Sequence, residues 1–282
     1  MKGIILAAGA GTRLYPLTRS VNKQLLPIYD KPMIYYPLGT LMEIGISDIL
    51  LITSEKEQAN FKNLLGDGSQ FGITMNYAIQ YIPRGISDAF IIAEEFIGDE
   101  ESVLILGDNI FYGKNLKDNL IQATNNLKEG YSTVFGYKVD DPERFGVIEF
   151  DSNNKVVSLE EKPVNPKSNF AATGLYFYTP GATKNAKTLK PSNRGEIEIT
   201  DLNKIYLNND KLKCELMDDS IEWIDTGTFE SLLSASIKIK EYEEAHNIKV
   251  AALEEIGYRK GFITDTYFEK VISEMIPSKY QI

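Results

Sequence analysis

The chain has 282 residues, 43% of them apolar and 25% charged, the composition of an ordinary globular protein long enough to bury one large core or two small ones. Its 40 Asp and Glu outnumber 30 Lys and Arg, and a formal net charge of -10 argues against tracking nucleic-acid phosphates or anionic lipid. Cys214 is the only cysteine, so there is no intrachain disulfide or thiolate cluster. With Cys214 expected in a core strand and His246, the only histidine, at a helix C-terminus, Ser-His-Asp, Cys-His and zinc–histidine chemistries lose the residue they need. Any catalysis must run on carboxylates, Lys, Arg, backbone amides and a hard metal.

In chain order, Ile4 to Leu6 reads as a buried strand, and Ala8 to Arg13 as a glycine-rich loop. The apolar run from Ile4 to Ala8 is too short for a signal peptide or a membrane span, and no later segment approaches eighteen uninterrupted apolar residues, so cytoplasm is the expected compartment. Met33 to Ile44 has helical periodicity, Asp48 to Thr53 is a strand, and Glu55 to Leu65 is helical up to the turn Gly66-Asp67-Gly68-Ser69. Ile73 to Ile79 is a strand, Ser87 to Phe96 a helix with Ser87 or Asp88 as N-cap, and Val103 to Leu106 a strand stopping at Gly107-Asp108-Asn109. This alternation predicts an α/β fold: a Rossmann-like, mostly parallel sheet with helices on both faces.

The second half differs. Gly146 to Phe150 and Val156 to Leu159, joined by Asp151-Ser152-Asn153-Asn154, predict an antiparallel hairpin, and Phe170 to Tyr178 another strand. Cys214, in the alternation Leu212 to Leu216, reads as a core strand residue. From Gly227 the pattern turns helical, with His246 near a helix C-terminus. The expected organisation is a core over 1–227 and a C-terminal helical segment over 228–282.

Six stretches could carry chemistry. Glycines in Leu6-Ala7-Ala8-Gly9-Ala10-Gly11-Thr12-Arg13 suit either a structural turn or backbone N–H groups aimed at a phosphate. The P-loop pattern fails because Thr12-Arg13 follows Gly11, and the dinucleotide fingerprint fails at Leu14. A lone Lys23 would read as a solvated charge; following Arg13, it becomes a candidate second cation for a triphosphate. Asp108, at a strand end, is either a turn former or a partner for metal or ribose. The others are Glu160-Glu161-Lys162-Pro163, the polar loop Ser192 to Asp201 with Arg194, and Glu222-Trp223-Ile224-Asp225-Thr226-Gly227.

Taken in this order, the stretches resemble the glucose-1-phosphate thymidylyltransferases, nearly end to end. The densest matches are Gly11 to Thr18, Lys23 to Leu38, Leu65 to Gly72 and Leu106 to Gly113. The resemblance implies that Leu6, Ala8, Gly9, Gly11, Thr12, Arg13 and Lys23 hold the triphosphate of dTTP, with Gln24, Gln80 and Gly85 around the thymine. It implies Mg²⁺ on Asp108 and Asp225; Asn109, Gly146, Glu161, Ala172 and Gly174 around glucose; and Lys162 and Arg194 on its 1-phosphate, with pyrophosphate as the second product. Arg13, Lys23, Asp108 and Lys162 would be the catalytic set. It further implies a homotetramer, a place at the head of dTDP-rhamnose synthesis, and a regulatory nucleotide site near Tyr112, Gly113, Glu255 and Arg259. Ile86-Ser87-Asp88 stands where Leu-Ala-Gln is frequent, and Ala252-Leu253 where Cys-Pro is frequent. Two other readings stay open: a uridylyltransferase for the same sugar phosphate, since T and U differ by one methyl, and a non-catalytic nucleotide-sensing subunit on the same fold.

Overall fold

In the computed structural model, which describes residues 1–275, 278 and 280, the first aliphatic run becomes β1 (Lys2–Ala7). A short hairpin, β2 (Pro27–Ile28) and β3 (Lys31–Pro32), follows the glycine-rich loop. Then come α1 (Tyr35–Ile44), β4 (Asp48–Thr53), α2 (Gln58–Leu65) and β5 (Thr74–Ile79). The helix expected over Ser87 to Phe96 is two helices, α3 (Asp88–Ile92) and α4 (Glu94–Ile97), separated where Ala93 leaves helical geometry at φ -85°, ψ 8°.

After β6 (Ser102–Leu106) come three elements absent from the sequence-based expectations: β7 (Asn109–Gly113), α5 (Leu116–Lys128) and β8 (Ser132–Lys138). Helix α5 buries Leu120, Ala123 and Leu127 on one face, a stripe masked in sequence by Asn119, Asn125 and Asn126. The hairpin is β9 (Gly146–Phe150) and β10 (Val156–Glu161), and the aromatic strand is β11 (Phe170–Tyr178). Helices α6 (Ala182–Thr188) and α7 (Ile199–Asn208) come next; Ile199 to Asp201, expected as loop, open α7. The chain continues through β12 (Leu212–Leu216), β13 (Ile221–Asp225), α8 (Phe229–His246), α9 (Leu253–Arg259) and α10 (Asp265–Glu274). Of the segment 228–282, residues 276, 277, 279, 281 and 282 lie outside the described residues.

The chain forms two compact units from interleaved stretches: Met1–Ile4, Gln80–Ile105 and Gly113–Trp223 in the first, Ile5–Ile79, Leu106–Tyr112 and Ile224–Ile282 in the second. In the first unit the strand order is β10-β9-β11-β6, with β8 beside β11 and β12 parallel to β8. Pairings of β9, β6 and β8 with β11 are antiparallel. In the second unit the order is β1-β4-β5, with β4 and β5 parallel, and Gly107 N donates to Leu6 O at 2.9 Å beside the end of β1. The fold is therefore Rossmann-like α/β, a mostly parallel sheet flanked by helices with antiparallel additions.

Side chains set these elements for plain reasons. Strand β4 is buried on both faces, as its unbroken aliphatic run requires. Thr228 and Ser231 form a reciprocal capping box that starts α8. Ala235, Ile239 and Glu243 form its buried face, where Ala235 and Ile239 pack with Ile28, Met33, Tyr36 and Ile224. Glu243 is buried because it joins Lys31, Asp30 and Lys249 in an ion cluster with contacts of 2.5 to 3.1 Å. In the first unit, Phe90 packs edge-on against Tyr178 at 5.0 Å, and the Tyr178 hydroxyl donates to Asn203. Cys214 lies half-buried in β12 opposite Val134 of β8, rather than in the core as expected, and desolvation pushes its thiol above the ordinary range. His246 ends α8, with Nδ1 2.9 Å from Tyr242 O. Among the described residues, no helix is long and apolar enough to cross a membrane.

Candidate active site

The second unit gathers a set of charges at strand ends. Strands β7 and β13 pair, and the Thr226 N–H and hydroxyl both donate to Asp108 O, at 3.3 and 2.9 Å. That pairing sets Asp225, the last residue of β13, beside Asp108, the residue before β7. Lys23 is no solvated charge: it is 5% exposed, and its Nζ donates to Asp108 Oδ2 at 2.6 Å. The other carboxylate oxygen of Asp108 accepts from Asn109 Nδ2 at 3.1 Å. Gly227 explains how a guanidinium reaches this place. A Cβ there would lie 3.1 Å from both terminal nitrogens of Arg13 and from Asp225 Oδ2, so a side chain at this position would crowd them.

Arg13, Lys23, Asp108 and Asp225 thus come together as the sequence reading expected, on a frame that Thr226 and Gly227 complete. Those two stood in the sixth stretch without a role; a threonine and a glycine directly after a strand-end aspartate were the signal. Leu6, next to last in β1, accepts from the Gly107 N–H, and Ala8, Gly9 and Gly11 lie in the loop leading to the short turn Thr12–Leu14. Gln24 is buried, with its backbone N–H capped by Asn22 at 2.9 Å. Among the described residues its side-chain Oε1 is a buried acceptor without a donor.

Asp108 and Asp225 are hard oxygen donors, and among the described residues no set of three or more His, Cys, Asp or Glu forms a closed metal cage. This donor set fits Mg²⁺, which takes one or two carboxylates and completes its shell with water and phosphate oxygens.

The first unit holds the residues expected around the sugar phosphate. Gly146 pairs with Glu161 across the hairpin and with Ala172 across β9–β11, which brings the three together. Glu161 Oε2 accepts from the Thr200 hydroxyl at 2.5 Å, and its Oε1 lies 3.3 Å from Arg194 Nη1. Arg194 also contacts Glu198 at 3.3 Å and Glu196 at 3.2 Å, so it is held among carboxylates rather than standing free for an anion. Burial pushes the Glu198 carboxyl above its ordinary value, although the Ser192 hydroxyl donates to it at 2.8 Å and opposes the shift. A cavity of about 440 Å³ is lined by Glu160, Glu161, Ser192, Arg194, Glu198 and Lys204, among others. Lys162 is exposed, follows β10 with φ 43°, and donates its N–H to Phe145 O at 2.9 Å. Gly174 lies in β11 where its register with β8 shifts. The sequence reading did not single out Thr200 and Glu198, which the start of α7 carries to Glu161 and Arg194.

Gln80 and Gly85, expected near the base, meet in the first unit. Gln80 Nε2 donates to Gly85 O at 3.4 Å and to Asp88 Oδ2 at 2.9 Å. Gly85 has φ 105° and lies so close to Ile197 that a Cβ would sit 2.6 Å from Ile197 O. Ser87 occupies the N-cap position of α3 without capping it; its hydroxyl donates to Glu198 O at 2.9 Å. Asp88 is buried as the first residue of α3. Of the four residues expected at a regulatory site, Tyr112 is buried against Tyr242, and Arg259 is bound to Glu43 and 3.9 Å from Glu255, all in the second unit. Gly113 belongs to the first unit.

Comparison with known proteins gives a consistent result. Residues 2–242 match the nucleotidyl transferase family. A glucose-1-phosphate thymidylyltransferase of Neisseria meningitidis is 53% identical over 280 residues, covering 99% of this chain and 96% of its own. The same enzyme of Mycolicibacterium smegmatis is 49% identical over 280 residues, covering 99% and 96%. Among solved structures, a protein assigned as a glucose-1-phosphate thymidylyltransferase from Bacillus anthracis, in complex with a sucrose, superposes with TM-score 0.78 at 42% identity, covering 84% of this chain and 94% of that one. A UDP-glucose pyrophosphorylase complexed with UDP-glucose superposes with TM-score 0.73 at 26% identity, covering 86% and 98%. With the charged set on Asp108 in place and relatives of this identity matching almost its whole length, the chain belongs to the nucleotidyl transferase family and, within it, to the glucose-1-phosphate thymidylyltransferases.

Proposed function

We propose that the chain joins dTTP and α-D-glucose 1-phosphate to give dTDP-glucose and pyrophosphate. An oxygen of the sugar phosphate forms a bond to the α-phosphorus as the bond to the α–β bridging oxygen breaks, and pyrophosphate leaves with that oxygen. No enzyme nucleophile or histidine base is required, because a phosphate monoester is already anionic at pH 7. The obstacle is bringing two anions together, so the work is positioning and charge neutralisation. Arg13 and Lys23 serve the triphosphate, and Lys162 and Arg194 the sugar phosphate. Gln24, Gln80 and Gly85 lie at the base, and Asn109, Gly146, Glu161, Ala172 and Gly174 at the glucose. For Arg194 this means leaving part of its carboxylate nest, with Glu161 and Glu198 then free to meet sugar hydroxyls.

The observation that carries the reading is a pair of adjoining contacts: Arg13 and Asp225 meet at Gly227, and Lys23 binds Asp108, whose carbonyl accepts from the neighbouring Thr226. Asp108 and Asp225 would hold Mg²⁺, which when bound would offset phosphate charge. A nucleotide-sensing subunit would need the phosphate cations but neither carboxylate. A uridylyltransferase reading draws on the likeness to UDP-glucose pyrophosphorylase. One methyl in an apolar pocket is worth only ~1–3 kcal/mol, so dTTP and UTP are both candidates for turnover, dTTP the better. The reading includes cytoplasmic residence, a homotetramer with the segment 228–282 at a subunit contact, and a first step of dTDP-L-rhamnose-type sugar synthesis.

The test is pyrophosphate release from dTTP, UTP, ATP, CTP and GTP, each with glucose 1-phosphate. Turnover should be fastest with dTTP, vanish in EDTA and return with Mg²⁺. Asp108→Asn and Asp225→Asn should each lower it by at least ~100-fold, the double variant little more, since both remove one ion. Turnover that persists in EDTA, or losses that multiply, would show the two carboxylates to be turn residues.

A further inference from the structure

Asp88 is 1% exposed, yet it caps nothing and pairs with no buried cation. Its Oδ1 takes Arg84 Nη2 at 2.7 Å, a guanidinium more than half exposed. Its Oδ2 takes the amide nitrogen of Gln80 at 2.9 Å, and Gly85 O lies 3.4 Å from the same nitrogen. Both neighbours of that nitrogen are pure acceptors. A half-turn of the Gln80 amide would set its oxygen against a carboxylate and a carbonyl, lone pair to lone pair. A glutamine or asparagine in place of Asp88 could donate as readily as accept and would allow either orientation; a carboxylate allows one. The amide nitrogen is therefore committed, and Oε1 is the atom left for a ligand.

We propose that Asp88 is a positioning residue for nucleotide selection: it holds Gln80 with its oxygen available, so that the site accepts bases carrying a ring N–H donor and rejects cytosine. The proposal rests on the reading above that Gln80 lies at the base. Thymine and uracil present N3–H, which Oε1 accepts. Cytosine presents a lone pair at N3, which would face the lone pairs of Oε1. A site built to hydrogen-bond one group discriminates strongly against an analogue that lacks it, because the protein atom is left unpaired. The support behind Asp88 is local to the first unit: the Ser87 hydroxyl on Glu198 O and the Gly85 backbone against Ile197 keep the start of α3 in place.

Asp88→Asn is the decisive variant. It offers one acceptor oxygen to two donors, and the charged Arg84 competes for it. With that oxygen taken by Arg84, the asparagine amide faces Gln80 with its N–H₂, and Gln80 turns to present its own N–H₂ to the base. The measurement is the inhibition constant of dCTP as a competitor, relative to the KM of dTTP, in the pyrophosphate-release assay with Mg²⁺ and glucose 1-phosphate. This ratio should fall about tenfold or more in Asp88→Asn, the size expected for one buried hydrogen bond mismatched. The KM for glucose 1-phosphate should stay where it is, which a general loosening of the fold would not allow. Gln80→Met, which removes the amide, should lower the same ratio, and the double variant should go no further than the worse single. An unchanged ratio in folded Asp88→Asn overturns the proposal; should that variant not fold, an unchanged ratio in Gln80→Met overturns it instead. Wild-type protein inactive with dTTP would refute the parent reading and this proposal with it, whereas active wild-type with an unmoved ratio refutes this proposal alone.

Discussion

Arg13 and Lys162 are both exposed cations, and their surroundings assign them different work. Arg13 lies against Gly227 beside Asp225, one of the two carboxylates proposed to hold Mg²⁺. On the proposed reading its partner gains charge as pyrophosphate departs, and its contact would strengthen in the transition state. Lys162 is set by a left-handed backbone directly after β10 and is proposed to hold the sugar phosphate. Arg13→Ala should depress kcat, while Lys162→Ala should raise the KM for glucose 1-phosphate well above any change for dTTP. Steady-state kinetics with each substrate varied in turn checks this, and interchangeable defects would remove the division of roles. At this scale the sequence was legible for Arg13, Lys23, Asp108 and Asp225, because charges after strands and in glycine loops stand out. Thr226 and Thr200 carried no role in the sequence, and Asp88 only that of a possible N-cap: their hydrogen-bond partners lie 118, 39 and 8 positions away.

Elements were read best where one physical rule governs them. Strand β4 and strand β11 have the bounds expected of them, since their aliphatic and aromatic runs are almost wholly buried. Helix α5 escaped notice because its asparagines break the polar-apolar contrast, and Asn126 is buried for a reason no window of sequence contains: its amide donates to Thr133 and Glu215. Helix α8 joins the two lessons. Its apolar residues are spread around it, and its buried face ends in a carboxylate, Glu243. That carboxylate accepts from Lys31, Lys249 and the Val250 N–H, at 3.1, 3.1 and 2.9 Å, and so ties α8 to the β2–β3 hairpin. Breaking a buried ion cluster by removing one member costs more than the cluster contributes as a whole, because the survivors stay buried. Glu243→Ala should destabilise the fold by about 3–5 kcal/mol, measured by denaturant unfolding. A loss within experimental error would show that Asp30 alone satisfies both lysines.

For the whole molecule, the exposed apolar residues of α8 make a prediction about assembly. Phe229, Leu233 and Ile237 recur at i, i+4 and i+8 and are 44%, 65% and 48% exposed in the single chain. Light scattering at micromolar concentration should give a mass several times 31.7 kDa. A fully active monomer would remove the expected assembly. The interleaving of the two units has a consequence of another kind, for the birth of the protein. Ile28, Met33 and Tyr36 belong to a core closed by Ala235 and Ile239 of α8, nearly the far end of the chain. At a synthesis rate of about 5–20 residues per second, the early apolar segments leave the ribosome on the order of ten seconds before the helix that covers them. The nascent chain therefore passes through a long stage in which β2, β3 and α1 are made but the core they share with α8 is unsealed. A truncated product lacking α8 would be a client for chaperones or proteases rather than a smaller working domain.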